Sequence, residues 1–73
     1  MREKRQNWRL IRRPMVLERI GLRTTQLYQL VKDNQFPKPV PLGKRAVAWV
    51  EAEVDAWIEA RIQERSEKTE RQA

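Results

Sequence analysis

The side chains with chemistry to offer cluster in the run GLRTTQLYQLVK, Gly21 to Lys32. Thr25, Tyr28, Gln29 and Lys32 recur at intervals of three and four, which places them on one face of a helix; Leu27, Leu30 and Val31 take the opposite face. An ordinary solvated helix shows Glu and Lys on its outer side. Here the outer side carries hydroxyls, an amide and a flat aromatic, with Gln26 on the flank. Such groups suit recognition of another hydrogen-bonding surface. Catalysis has little to work with, because the chain contains no His and no Cys. It therefore lacks the commonest general base, the commonest zinc ligand and any thiolate. No paired acids fall in a predicted cleft. An enzyme, a disulfide framework, a metal site and a cofactor are not expected.

Charge narrows the kind of surface that the polar face meets. Residues 1–45 hold twelve Lys or Arg against three acids, a net of +9, while residues 46–73 hold four against seven, a net of −3. A basic front and an acidic back point to one surface that faces phosphates. Seventy-three residues allow one domain with a small core. No apolar run approaches the roughly 20 residues of a membrane span, and no signal-peptide pattern opens the chain. A cytoplasmic module with no membrane contact is the expectation.

The elements that must position these side chains can be read in order. Residues 1–7 are polar and unpatterned, a flexible basic arm; residues 8–65 form the domain; residues 66–73 are charged and unpatterned, a flexible tail. Trp8 to Arg12 alternate weakly, as a short strand or an extended lead-in. Pro14 is well placed to open a helix, where its missing N–H costs nothing. Val16, Leu17 and Ile20 give that helix an apolar face, and Gly21 ends it by tolerating the left-handed conformation. A second helix follows, with Thr24 as the best cap; Asp33, Asn34 and the two prolines of Phe36-Pro37-Lys38-Pro39 stop it. Two helices joined by a turn of three or four residues that contains Gly match the helix-turn-helix pattern.

Alternation resumes at Val40 and Leu42, breaks at Gly43-Lys44-Arg45, and returns at Val47 and Trp49, which is a β-hairpin with a basic tip. Pro41 confines its strand to an edge. Val50, Val54, Trp57, Ile58 and Ile62 then form the apolar stripe of a last helix whose first turns are acidic. Trp49 and Trp57 are expected in the core. Trp8 has no assigned place.

With these elements in view, residues 9–61 resemble the AlpA family of prophage-associated transcriptional regulators. The resemblance rests on Gly21-Leu22, Leu27-Tyr28, Phe36-Pro37-Lys38-Pro39, Leu42-Gly43 and Val54-Asp55-Ala56-Trp57 taken together. The family is related to excisionases and to the DNA-binding head of MerR regulators. The resemblance implies a mainly α winged helix-turn-helix with a small β-hairpin, which binds DNA and regulates genes of integrated elements. An integrase gene is often the target, and assistance in excision is sometimes the role. Family members commonly have Ser-Arg-Ser where this chain has Arg23-Thr24-Thr25, which moves the cap to Thr24 or leaves that end weakly capped.

The polar face then has an expected partner, double-stranded DNA. A glutamine amide can pair with a base edge in the major groove, and a threonine methyl can meet a thymine methyl. Gln29 and Thr25, with Gln26 beside them, are assigned to base readout and Lys32 to a phosphate. Tyr28 either packs or reaches a phosphate. Arg23 and Thr24 hold the backbone at the helix start, and Lys44 and Arg45 lie in or near the adjacent minor groove. Several copies on repeated sites are expected, since one small domain touches few base pairs. The competing reading is a protein-binding module that contacts an integrase, a repressor or a response regulator through an acidic back face of Glu51, Asp55 and Glu59. RNA fits less well, because the aromatics are too few for a stacking platform.

Overall fold

A computed structural model of the chain describes residues 8–72, with side chains through residue 65. The elements run β1 (Leu10–Ile11), α1 (Arg13–Ile20), α2 (Thr24–Lys32), β2 (Val40–Pro41), β3 (Val47–Val50) and α3 (Glu51–Gln72). The sheet has the order β1-β3-β2, with both pairs antiparallel. Val40 faces Ala48 and Pro41 faces Val47 in the hairpin, while Leu10 and Ile11 face Val50 and Trp49 on the other side of β3. The Trp8–Arg12 segment thus supplies a true strand, and the hairpin gains a third partner that a two-stranded ribbon needs for stability. Pro41 sits on an edge strand, as its missing donor requires. Helices with a small antiparallel sheet, ordered in this way, form the expected winged helix-turn-helix.

Local chemistry accounts for the helix ends. Gly21 adopts φ +73° and its N–H donates to the Leu17 carbonyl at 2.8 Å, closing α1. At the end of α2, Asn34 takes the left-handed place with φ 60°. Its N–H donates to Val31 O at 3.1 Å and that of Gln35 donates to Leu30 O at 2.8 Å, a Schellman termination without glycine. The start of α2 differs from the sequence expectation. Arg23, not Thr24, is the cap residue, and Thr24 is already helical. An arginine side chain has no acceptor to offer. The capping therefore runs the other way: Gln26 Oε1 accepts the Arg23 N–H at 3.0 Å.

Ile11, Val16, Leu27, Phe36, Trp49 and Val54 form the buried core, with Leu17, Ile20, Leu30, Val31, Val47, Trp57 and Ile58 packed around it. Both indoles staple the α2–β2 connection. Trp49 Nε1 donates to Pro37 O at 2.9 Å and Trp57 Nε1 to Gln35 O at 2.7 Å. They are not equivalent, however. Trp49 is fully buried, whereas Trp57 is partly exposed, stacked edge-on to Phe36 at 5.0 Å and covered by the Arg61 guanidinium at 5.5 Å.

The last helix departs from expectation in three respects. Val50 belongs to β3, since the strand passes into α3 without a loop. Ile62 is 46% exposed, so the buried stripe ends near Ile58. The helix also continues to Gln72, past the boundary set at residue 65. The added turns contain neither Gly nor Pro, and their Glu, Lys, Arg and Gln are good helix formers, so nothing local stops the helix. The basic arm assigned to residues 1–7 lies outside the described residues.

Candidate nucleic-acid interface

Burying Leu27, with Leu30 and Val31 half-buried beside it, fixes the rotation of α2 about its axis. That rotation turns Thr24, Thr25, Gln26, Tyr28, Gln29 and Lys32 outward, all exposed, together with Arg23 just before the helix. Thr25, Gln26 and Gln29 share a shallow depression of about 430 Å3 with Leu22 and Leu30. Tyr28 leans the other way. Its ring lies 6.2 Å from that of Trp49 at a tilt of 57°, while 37% of the residue stays accessible. It packs against Trp49 and still keeps part of its surface open.

Two side chains of the polar face are engaged within the helix. Gln26 holds the Arg23 N–H, as described above. Gln29 Nε2 donates to the Asp33 carboxylate, at 3.2 Å to Oδ2 and 3.4 Å to Oδ1. A carboxylate at neutral pH only accepts, so the amide must turn its NH2 towards Asp33 and leave Oε1 available. Thr24, Thr25 and Lys32 have no such partner among the described residues. Lys44 and Arg45 are exposed at the wing tip, which the Leu42 N–H closes by donating to Ala46 O at 2.7 Å.

Charge is partitioned by the tertiary structure. Arg19 on α1 reaches α3 with both amino groups, contacting Glu51 and Asp55 at 2.6 Å each, and Arg9 lies 3.6 Å from Glu51. Glu51 is only 6% exposed. These contacts change one of the three acids expected on the back face: Glu51 is a buried brace, whereas Asp55 is paired but about half exposed and Glu59 is exposed and unpaired among the described residues. The cations of the front are in the opposite condition. Arg23, Lys32, Lys44 and Arg45 have no ion-pair partner among the described residues.

Sequence reasoning gave no role to Arg12 and Arg13, yet the fold brings both beside Arg45 and Val47. The available signal was two adjacent arginines ahead of Pro14 at a helix start; their neighbour from the wing is more than thirty positions away.

Among the described residues, no group of three or more His, Cys, Asp or Glu is arranged to hold a metal ion, and no helix is long and apolar enough to cross a membrane. A family model described as prophage CP4-57 regulatory protein (AlpA) matches residues 9–62. An uncharacterized protein, ORF88, of Enterobacteria phage P4 is 41% identical over 54 residues, covering 74% of this chain and 61% of the phage protein. The DNA-binding transcriptional activator AlpA of Escherichia coli (strain K12) is 34% identical over 59 residues, covering 73% of this chain and 84% of that protein. The chain thus spans less than two thirds of the phage relative and most of the bacterial one.

Proposed function

The chain belongs to the AlpA family of prophage regulatory proteins, and from that premise we propose that it is a sequence-specific DNA-binding regulator of transcription. The observation that carries this reading is the sorting of charge. Acids of α3 neutralise Arg9 and Arg19, whereas Arg23, Lys32, Lys44 and Arg45 keep their charge free for an external anion. In this reading α2 enters the major groove. Gln29 and Thr25 face base edges, Gln26 secures the helix start, and Arg23, Thr24 and Lys32 meet phosphates. Tyr28 steadies α2 against Trp49 and turns its hydroxyl to the backbone. Lys44 and Arg45 place the wing at the neighbouring minor groove. The targets are genes of an integrated element, an integrase gene foremost, acted on in the bacterial cytoplasm by several copies on repeated sites.

Footprinting of the purified protein on DNA upstream of a neighbouring integrase gene tests the reading. Protection of repeated short sites at concentrations that leave scrambled duplex unprotected is the expected result. Equal occupancy of both duplexes would remove sequence-specific regulation. Absence of binding to either would favour contact with an integrase or another regulator instead.

A further inference from the structure

Arg12, Arg13 and Arg45 come together although they belong to different parts of the fold. Arg12 caps α1, Arg13 is its first residue, and Arg45 lies between the hairpin strands. With Pro14 and Val47 they line one small cleft of about 230 Å3. All three are exposed, and none has an ion-pair partner among the described residues. The first turn of α1 contains no acid that could serve as one. Like charges gathered without a counter-charge repel one another, so an anion from outside is favoured there more than beside an isolated arginine. Guanidinium groups present planar, forked donors that match phosphate oxygens, and several can share one phosphate.

We propose that this cleft clamps a single DNA phosphate bordering the minor groove, with Arg12 and Arg13 reaching it from α1 and Arg45 from the wing. The clamp rests on the reading of the chain as a DNA binder and adds a contact that no base-facing residue supplies. It also ties the wing to the first helix. The hairpin tip is otherwise held by its own turn, and a shared phosphate orients it for the groove.

The test uses the full chain with Arg12→Gln, Arg45→Gln and the double variant, on specific and scrambled duplex. Each single variant should weaken binding several-fold on both, since a phosphate contact carries no sequence information. Because the arginines share one phosphate, the double variant should lose less than the product of the single losses. Its log–log salt dependence should flatten by no more than about 0.9, the value for one phosphate rather than two. Replacing backbone phosphates one at a time by neutral methylphosphonates should reveal one position whose penalty disappears in the double variant while the others persist. Thermal melting of all variants should match the parent, as the three side chains are exposed.

Losses that multiply, a slope change worth two phosphates, or no arginine-dependent position would overturn the clamp and leave DNA binding intact. Failure of the parent protein to bind duplex would overturn both readings.

Discussion

Gln29 shows how one hydrogen bond changes what a residue can read. A free glutamine amide pairs with adenine through both its oxygen and its nitrogen. With one Nε2–H engaged by Asp33, the amide keeps Oε1 and a second N–H, and Asp33 sets the direction in which that pair meets a base edge. Gln29→Ala should lose roughly 1–3 kcal/mol on the cognate site and little on scrambled duplex, measured by competition binding. Its melting curve should hold, because the residue is exposed and alanine is the better helix former. Equal loss on both duplexes would make Gln29 a backbone contact. Asp33→Ala should release the amide and broaden base preference at that position, which selection from a randomised site would register. An unchanged preference would mean that the groove, not Asp33, sets the amide.

Among the elements, the short connection between α2 and β2 holds the recognition helix to the wing, and two indoles secure it unequally. Trp49 is fully buried among Leu27, Phe36 and Val54 as part of the core. Truncating such a side chain costs about 3–5 kcal/mol, most of what a small domain has in reserve. Trp49→Ala should therefore be largely unfolded at 25 °C by circular dichroism. Trp57 is only partly covered and can exchange Gln35 O for water. Trp57→Ala should remain folded with a lowered melting temperature. Similar melting of the two variants would show that the exposed side of Trp57 contributes more than its burial suggests.

For the molecule as a whole, the net charge of +6 understates the interface, because the structure cancels charge selectively. Arg9 and Arg19 are spent on Glu51 and Asp55, whereas the cations of α2 and the wing are not. Substituting Arg23 or Lys44 by Ala should weaken binding to specific and random duplex alike. Each should flatten the salt dependence by roughly 0.9. Arg19→Gln should leave that slope unchanged and lower thermal stability instead, since it removes a counter-charge of the nearly buried Glu51. A flattened slope for the Arg19 variant would place α1's far side on the DNA and invert the partition.

Much of this arrangement was legible from neighbours along the chain. Helical spacing set the Leu27–Leu30–Val31 face and thereby its polar counterpart; Gly21, the Asp33–Asn34 pair and Pro41 marked ends and edges through backbone constraints that act locally. The resemblance carried by scattered short motifs pointed to the family that the comparisons then showed. Tertiary structure decided what depends on distant partners. It paired β1 with β3, made Trp49 and not Trp57 the buried indole, buried Glu51, and bound it and the exposed Asp55 to Arg19. It also carried Arg45 to Arg12 and Arg13. Periodicity records which side of an element is apolar, but not which charge from another element will meet it; that is settled only when the core closes and brings the two surfaces together.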